Sequence, residues 1–421
     1  MRRLRPAAPG DGPGQRELPV DGLRGICALL VFYAHLFQPT RVLDPRFAPS
    51  EKFYWFNLGS AAVLMFFVLS GYVIGLTVTQ PAAPAAIRRY ASRRVLRLAP
   101  ITWAAVLISW LFLPDLDGRT IAGHLLFLHN NFSYPGIGAF PLLPNNSNLW
   151  SLHYEAVYYI LFIVVWRFAP APAWLFTVFG LLAVGSIAGL PIPRPVTRYA
   201  CGAFFWFGGL CAAWLTTPSA AGRSQGPWPA ALLMGYAIWI FAPVRMWLLH
   251  FAISDDIWPQ AVLPHRLDCV PVCLWIILAV SGRGPRVRVW LAALSTVLAV
   301  AGLLQAVQSG AWTAVHTVAA AALAVGLALW RWECPTTILA RLAPLGGISF
   351  AVYVIAAPIQ LGQRAFLPDF SGSVLTFTVR ALMVILVVFA LAWLLERKFQ
   401  PWLVARIRGT EKSDRPLCDT T

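Results

Sequence analysis

Long apolar runs separated by short polar or basic stretches recur along the whole chain. Twelve of these runs are candidates to cross a bilayer as helices. They cover residues 18–37, 57–78, 96–113, 148–168, 172–190, 199–216, 228–250, 264–281, 288–307, 311–330, 344–362 and 372–395. Because the break near Gln308–Gly310 is weak, the count falls between ten and twelve. Since helices satisfy their backbone hydrogen bonds internally, the pattern predicts an all-α polytopic membrane bundle.

The same pattern divides the chain into three parts. Residues 1–17 are basic and rich in Pro and Gly, which indicates a cytoplasmic tail rather than a cleaved signal peptide, because the first apolar run is too long. Residues 18–395 form the predicted transmembrane domain, and residues 396–421 form a second cytoplasmic tail. The largest outer segment, residues 114–147, is expected to be a lid or loop with a short interfacial helix.

The charge distribution predicts the orientation. The chain carries a formal net charge of +16, yet 58% of its residues are hydrophobic and only 12% are charged. The arginines cluster in alternate short loops, as the positive-inside rule requires, so we expect no nucleic-acid partner. The predicted inner residues are Arg88, Arg89, Arg93, Arg94, Arg223, Arg283, Arg286, Arg288, Arg331, Arg341, Arg397, Lys398, Arg406, Arg408, Lys412 and Arg415, and the outer residues include Asp115, Asp117, Asp255, Asp256 and Asp369. This arrangement predicts a multi-pass protein of the bacterial inner membrane with both termini cytoplasmic.

Three ionisable residues are placed in the first apolar run: Asp21, Arg24 and His35. Arg24 and His35 stand eleven positions apart, close to three helical turns, so both lie on one helix face roughly 16 Å apart along the axis. Titratable groups inside membrane helices mark functional paths by default. The alternative is that Arg24 reaches the headgroups and His35 is a satisfied packing residue.

A second basic group opens the third run. Arg94 and Arg97 are three residues apart on one helix face, where the third span leaves the inner interface. Guanidinium groups bind phosphate oxygens in a planar fork, so these two are predicted to meet an anionic ligand. Arg88, Arg89 and Arg93 are interpreted as positive-inside anchors.

The second and fourth runs contain the remaining candidate residues. Glu155 lies about two turns inside the outer end of its helix, at the depth predicted for His35, so it either orients the imidazole or pairs with an arginine. Trp150 is expected at the interface. Tyr72, Trp150 and Tyr154 are the predicted acceptor contacts, whereas Ser70 and Gly71 are interpreted as small residues for close helix packing. No metal site is expected, since the histidines of residues 114–147 lack zinc-site spacing.

Four stretches together resemble the membrane-bound acyltransferase 3 family. They are Asp21-Gly-Leu-Arg-Gly with His35, Phe66-Phe-Val-Leu-Ser-Gly-Tyr72, Arg93-Arg-x-x-Arg-Leu-x-Pro100, and Leu149-Trp-Ser-Leu-x-x-Glu155. A fifth, Leu345 to Pro358, is similar to the family's penultimate helix, although the histidine common there is replaced by Ala356 or Ala357. The family usually has ten core spans, and the chain resembles the type without a fused esterase-like domain.

The resemblance implies an O-acyltransferase with a cytosolic acyl-CoA donor, acetyl as the expected acyl group and no permanently bound cofactor. The acceptor would be a hydroxyl of an extracytoplasmic carbohydrate or glycolipid, including lipopolysaccharide. By the same resemblance, Arg24 and His35 are the essential pair, Arg94 and Arg97 lie near the donor phosphates, and Glu155 is the acidic residue of the fourth span.

The chemistry of the residues leaves alternatives open. His35 serves either as general base on the acceptor hydroxyl or as a transient acyl carrier, and Arg24 stabilises charge on the thioester or the CoA moiety. A transporter or flippase would use the same intramembrane charges as a relay. The second half of the chain has no counterpart of Arg24 and His35, which disfavours a transporter built from repeats.

Overall fold

A computed structural model of the chain is almost entirely helical. It describes residues 17–37, 43–78, 80–113, 115–129, 133–134, 138–168, 172–217, 225–245, 266–310 and 312–413. The predicted loop charges Arg223, Asp255 and Asp256, Arg415 of the C-terminal tail, and residues 1–16 of the N-terminal tail lie outside these ranges.

Sixteen α-helices occur among the described residues. They are α1 Leu18–Phe37, α2 Gly59–Thr77, α3 Pro84–Phe112, α4 Gly118–Leu125, α5 Trp150–Phe168, α6 Pro172–Ile187, α7 Arg194–Leu215, α8 Trp228–Phe241, α9 Cys269–Val280, α10 Pro285–Gln308, α11 Ala314–Ala328, α12 Thr337–Ala340, α13 Ala343–Gly346, α14 Ser349–Phe366, α15 Val374–Leu394 and α16 Gln400–Ser413. Two 3₁₀ helices, Glu51–Phe56 and Ser147–Leu149, and one π-helical stretch, Leu395–Phe399, join them. Two antiparallel pairs of two-residue strands complete the described elements: β1 Ser133–Tyr134 with β2 Gly138–Ala139, and β3 Gln225–Gly226 with β4 Cys334–Pro335.

Each of the twelve predicted runs contains a helix. Among the described residues, six helical segments are long and apolar enough to cross a membrane: Leu18–Phe37, Glu51–Thr77, Pro84–Phe112, Ser147–Phe168, Pro285–Gln308 and Val374–Ile407. Three shorter apolar helices accompany them: Ala173–Ser186, Cys269–Val280 and Ala314–Ala328. The prediction of a multi-pass all-α membrane protein is therefore confirmed.

The chain divides into two compact units. Unit 1 comprises residues 1–34, 51–82 and 154–346, and unit 2 comprises residues 35–50, 83–153 and 347–421. The boundaries fall within α1 and α5, so each of these helices contributes residues to both units.

Glycine brings backbones into contact in unit 1. A Cβ added to Gly71 of α2 would lie 1.9 Å from the carbonyl oxygen of Trp206 in α7, and one added to Gly209 of α7 would lie 2.0 Å from that of Val68. The two helices therefore pack backbone to backbone, as small residues allow in membranes. The packing interpretation of Gly71 is confirmed.

Helix α10 of unit 1 has its small residues inside and its large ones outside. The buried positions recur at spacings of three and four residues, and all are small: Ala292, Ser295, Ala299, Gly302 and Ala306. The large side chains point outward, including Trp290 and Val297, which are 77% and 64% exposed. This distribution is typical of a lipid-facing helix, because bilayer tails accept apolar side chains that water would not.

Two prolines inside helices of unit 2 leave backbone carbonyls that side-chain amides satisfy. A proline lacks the N–H that would bond the carbonyl four residues earlier. Pro100 of α3 thus frees the Leu96 carbonyl, which accepts from Gln400 Nε2 at 2.9 Å. Pro358 of α14 frees the Val354 carbonyl, which accepts from Asn146 Nδ2 at 2.8 Å.

A buried ionic group fixes the loops that follow α1 and precede α15 in unit 2. Asp44, which is fully buried, accepts hydrogen bonds from the backbone amide of Gly372 and the hydroxyl of Thr376. The fully buried guanidinium of Arg380 donates to Gln363 Oε1 at 2.8 Å and to the Leu43 carbonyl. Burial raises the pKa of the Asp44 carboxyl, but the hydrogen bonds from Thr376, Arg46 N and Gly372 N outweigh burial and hold the pKa below its ordinary value.

Candidate active site

Helix α1 carries both residues of the predicted catalytic pair. It runs without interruption from Leu18 to Phe37, so Arg24 and His35 occupy one helix, as predicted. Arg24 belongs to unit 1, where its Nη1 donates to Asp21 Oδ1 at 3.0 Å and both side chains are about one-sixth exposed. His35 belongs to unit 2 and is half-buried.

The glycines of the Asp-Gly-Leu-Arg-Gly motif bring the backbone of α1 close to α12 and α13. A Cβ added to Gly22 would lie 1.8 Å from the carbonyl oxygen of Leu339 in α12, and one added to Gly25 would lie 2.8 Å from Leu345 Cβ in α13. In the opposite direction, a Cβ on Gly346 would lie 2.0 Å from the carbonyl oxygen of Asp21. Two of the sequence motifs thus pack backbone to backbone within unit 1, a contact that local sequence patterns do not reveal.

The imidazole of His35 is held by an amide. Asn148 Nδ2 lies 2.9 Å from His35 Nδ1, and both residues belong to unit 2. Asn148 is buried within the 3₁₀ turn that precedes α5. Sequence reasoning did not single out this residue, although it directly precedes the motif that contains Trp150 and Glu155.

Glu155 of unit 1 is hydrogen bonded by two hydroxyl groups. Ser70 Oγ donates to Glu155 Oε1 at 3.1 Å, and the Tyr159 hydroxyl donates to the same oxygen. Trp206 Nε1 in turn donates to Ser70 Oγ at 3.3 Å. Interpreting Ser70 only as a small packing residue was therefore incomplete. The assignment of Glu155 to orient the imidazole stays a prediction.

The predicted donor arginines differ from their neighbours in burial. Within the arginine-rich part of α3, the side chains of Arg88, Arg89 and Arg93 are exposed, whereas Arg94 and Arg97 are half-buried. The guanidinium carbon of Arg94 lies 5.3 Å from the centre of the Tyr90 ring. Helix α3 begins at Pro84, twelve residues before the predicted span, so the whole group stands on one continuous helix.

The three predicted acceptor contacts occupy different surroundings. Tyr72 is fully buried in unit 1, and its hydroxyl donates to Glu17 Oε2 at 3.0 Å. Tyr154 is buried in the same unit, with its ring centre 5.1 Å from that of Tyr199. Trp150, the first residue of α5, is half-buried. Trp150 is thus the most accessible of the three.

Three histidines of unit 2 form a buried group next to the turn that carries Asn148. The rings of His124 and His129 are stacked at 4.0 Å, and that of His153 stands edge-on at 6.1 Å from His129. Burial lowers the pKa of His124 to about 4 and that of His129 to about 3. Among the described residues, no group of three or more His, Cys, Asp or Glu side chains has a geometry that could hold a metal ion.

These observations define a multi-pass membrane protein with separate polar groups: a guanidinium and an imidazole on one helix, a hydrogen-bonded carboxylate on another, and half-buried arginines on a third. Residues 19–297, more than half of the chain, match the model of the acyltransferase 3 family, which is described as an acyltransferase domain. The chain belongs to this family.

Two curated relatives are similar to parts of the chain. Acyltransferase MdmB of Streptomyces mycarofaciens is 26% identical over 233 residues, which are 54% of this chain and 53% of the relative. Peptidoglycan O-acetyltransferase OatA of Listeria monocytogenes is 28% identical over 158 residues, 34% of this chain and 23% of the relative. The chain therefore spans about half or less of the length of these relatives. No solved structure matches the chain significantly.

Proposed function

We propose that this protein is an integral membrane O-acyltransferase that moves an acyl group, with acetyl as first candidate, from cytosolic acyl-CoA to a hydroxyl of an extracytoplasmic glycan or glycolipid. The observation that carries the proposal is the half-buried imidazole of His35, which lies on the same helix as Arg24. The amide of Asn148 contacts one nitrogen of this imidazole. Family membership supports the reaction class. The name of the Listeria relative supports a glycan acceptor and an acetyl group.

In the general-base form of the reaction, the acceptor hydroxyl gives its proton to a ring nitrogen of His35 while its oxygen attacks the carbonyl carbon of the thioester. The carbon–sulfur bond then breaks, and the CoA thiolate leaves and takes up a proton. In the carrier form, a ring nitrogen of His35 attacks the carbonyl carbon and the CoA thiolate leaves. The acceptor hydroxyl then displaces the imidazole, and its proton passes to the released ring and from there to the thiolate. Both forms convert one hydroxyl and one thioester into one ester and one thiol.

Arginine supplies the charges that the donor requires. Arg94 and Arg97 are proposed to bind CoA phosphates, because their half-buried guanidinium groups present planar donor forks at the start of a membrane helix. Arg24 is proposed to stabilise negative charge on the thioester oxygen or on the CoA moiety. Asp21 supports this role, since the 3.0 Å hydrogen bond orients the guanidinium.

The acceptor contacts are proposed on the same basis. Trp150 is the favoured contact for a sugar ring because it is half-buried. Tyr72 and Tyr154 are buried, so their contribution is to shape the surrounding helices unless a substrate displaces their present partners. The proposed location is the bacterial inner membrane with both termini in the cytoplasm, supported by the arginine distribution.

The test is transfer of label from radiolabelled acetyl-CoA to the glycan fraction by membranes that contain the protein. His35→Gln keeps a polar side chain but cannot titrate near neutral pH, so specific activity per folded molecule is expected to fall by about 10²- to 10⁴-fold. His316→Gln, the same change at the start of α11, is the control and is expected to retain activity. Normal turnover by folded His35→Gln protein would remove His35 from the reaction.

A further inference from the structure

Gln360 of α14 is a buried amide whose two polar atoms are both unpaired. The residue is 2% exposed, and among the residues that the structure describes neither its Nε2 nor its Oε1 has a hydrogen-bond partner. A half-turn of the amide exchanges the two atoms but leaves both of them unpaired. Burying a polar group without a partner is unfavourable, so this amide is costly to the fold unless another group pairs with it.

The next glutamine of the same helix shows that partners can be reached from this part of α14. Gln363 is also buried, yet its Nε2 donates to the Leu43 carbonyl at 2.7 Å and its Oε1 accepts from Arg380 Nη1 at 2.8 Å. Gln363 therefore joins α14 to the loop after α1 and to α15. A structural role accounts for Gln363 but not for Gln360.

Helical phase places Gln360 on the side of α14 that meets the turn before α5. It lies seven residues, or about two turns, after Tyr353, so the two side chains share nearly the same helix face. The Tyr353 hydroxyl donates to the Asn148 carbonyl at 2.6 Å, and the Asn148 amide contacts His35. Gln360 therefore lies on the face of α14 that is turned toward the His35 end of unit 2.

Two further amides of unit 2 have unpaired oxygens. Asn145 Nδ2 donates to the Ser109 carbonyl of α3 at 2.9 Å, and Asn146 Nδ2 donates to the Val354 carbonyl of α14 at 2.8 Å. Both asparagines are buried, and their Oδ1 atoms have no hydrogen-bond partner within the described part of the chain. The segment that leads to Asn148 thus adds two unpaired acceptors between α3 and α14.

The chemistry of these three amides favours a ligand with several hydroxyl groups. A hydroxyl both donates and accepts a hydrogen bond, and the Gln360 amide does the same through Nε2 and Oε1. The unpaired oxygens of Asn145 and Asn146 can accept from further hydroxyls. Because none of the three side chains is charged, a phosphate, which cations bind most strongly, is a poor match.

We propose that Gln360 is a binding residue for the acceptor, and that its amide forms hydrogen bonds with hydroxyl groups of a sugar ring. This proposal rests on the proposed function and names a contact for its acceptor. The expected orientation of α14 supports it, because Arg341 precedes the helix on the predicted inner side and Asp369 follows it on the outer side. Gln360 then falls in the outer half of the helix, on the side of an extracytoplasmic acceptor.

Entry of a sugar requires the side chains that cover Gln360 to move. Pro358 lies two residues earlier and lacks the backbone N–H of a continuous helix. Since kinks in helices occur mainly at prolines, this is the position at which the outer half of α14 can bend.

The experiment compares Gln360→Met with wild type in the acetyl-transfer assay. The glycan fraction that wild-type membranes acetylate is added at increasing concentration to purified protein. Methionine is an unbranched side chain like glutamine but has no amide, so the KM for the glycan is expected to rise by about 10-fold while the KM for acetyl-CoA stays the same. Gln308→Met, the same change on an exposed side chain, should alter neither value. An unchanged KM for the glycan in Gln360→Met would overturn the binding role.

Thermal stability in detergent separates ligand binding from a structural role. Gln363→Met loses the bonds to Leu43 and Arg380 and should melt at a lower temperature than wild type, whereas Gln360→Met should melt at or above the wild-type temperature. Adding the glycan fraction should raise the melting temperature of wild type and that of Gln360→Met much less. A Gln360→Met protein that fails to fold, or that the glycan stabilises as much as wild type, would contradict the binding role.

The two proposals fail in different ways. If wild type transfers no label to glycan, or if folded His35→Gln protein turns over normally, the proposed function is contradicted, and the role of Gln360 falls with it. If wild type labels glycan and Gln360→Met has the same KM for it, only the role of Gln360 is contradicted.

Discussion

At the scale of single residues, burial separates arginines that are close neighbours in the sequence. On α3 the side chains of Arg88 and Arg93 are exposed, whereas those of Arg94 and Arg97 are half-buried. An exposed guanidinium at a membrane interface is solvated by water and can pair with lipid headgroups. A half-buried one is a better ligand for a phosphate, because the interaction is less screened.

The difference in burial between these arginines predicts that their substitution will affect KM for acyl-CoA differently. Arg94→Ala with Arg97→Ala should raise KM for acyl-CoA at least several-fold, whereas the matched pair Arg88→Ala with Arg93→Ala should leave it nearly unchanged. Lysine at 94 and 97 should restore donor binding only in part, since an ammonium group lacks the planar fork. Equal KM values for the two double variants, measured on folded protein, would contradict phosphate binding and indicate that Arg94 and Arg97 anchor the helix to lipid.

A second residue-scale prediction concerns pH and stability. The pKa of His129 in the folded protein is about 3, mainly because of burial, whereas an unfolded histidine titrates near 6.5. Below pH 6.5 the unfolded chain therefore binds a proton that the folded protein does not, and stability falls as the pH is lowered. His129→Gln retains a donor for the Leu149 carbonyl and removes the titration. Its melting temperature in detergent should drop less than that of wild type between pH 7 and pH 4.5; equal drops would exclude His129 as a source of acid lability.

The sequence predicted the ionisable residues of the candidate site but not the residues that form hydrogen bonds with them. Arg24, His35 and Glu155 stand out as ionisable residues in apolar runs, and family motifs contain all three. Asn148 and Ser70 are neutral, and their contacts with His35 and Glu155 cross 113 and 85 positions of the chain. No local period encodes a pairing across such a distance, so only the folded chain shows it.

At the scale of elements, the apolar runs predict the existence of helices better than their ends. The weak break at Gln308–Gly310 is a real one: α10 ends at Gln308, Gly310 adopts a left-handed φ of +67°, and α11 begins at Ala314. Helix α3, in contrast, begins twelve residues before its predicted span, since its first twelve residues include four arginines and hydropathy alone does not detect them.

Proline placement leads to a prediction about α3. Gln400 Nε2 lies 2.9 Å from the carbonyl oxygens of both Leu96 and Arg97, and the first of these is free because Pro100 has no N–H. Gln400→Ala should therefore lower stability by about 0.5 to 1.5 kcal/mol, the net contribution of a hydrogen bond, because this bond is only partly buried. In a Pro100→Ala background the helix supplies its own donor, so the same substitution should cost less. Equal losses of thermal stability in the two backgrounds would show that Gln400 acts in another way.

Close glycine contacts are the other device at this scale. A Cβ added at any of four glycines would lie only 1.8 to 2.0 Å from a backbone oxygen, too close for a real side chain. These glycines are Gly22, Gly71, Gly209 and Gly346. The sequence suggests close packing from small residues, but it does not say which helices meet. The pairing of α1 with α12 and α13 in unit 1 joins two motifs that are more than 300 residues apart.

At the scale of the whole molecule, α3 offers a direct measure of orientation in the membrane. Its 29 residues extend about 43 Å, well beyond the roughly 30 Å of a bilayer core. The helix begins just before the arginines at 88 to 97 and ends just before Asp115 and Asp117. By the positive-inside rule, we expect the arginine end to be cytoplasmic, the side on which the proposed acyl-CoA donor would be found.

This orientation predicts the labelling of two introduced cysteines. Ala85 and Asp115 are both exposed and flank the membrane part of α3. In intact cells, a membrane-impermeant maleimide should label Asp115→Cys but not Ala85→Cys, and in inverted vesicles the reverse should hold. A Cys418→Ser background removes the C-terminal thiol, while the described native cysteines are buried or half-buried and should give a low background in the parent protein. Labelling of Ala85→Cys from outside intact cells would place Arg94 and Arg97 on the wrong side for cytosolic acyl-CoA, because no donor phosphate would reach them there. The donor assignment would then fail even if His35 proved essential for transfer.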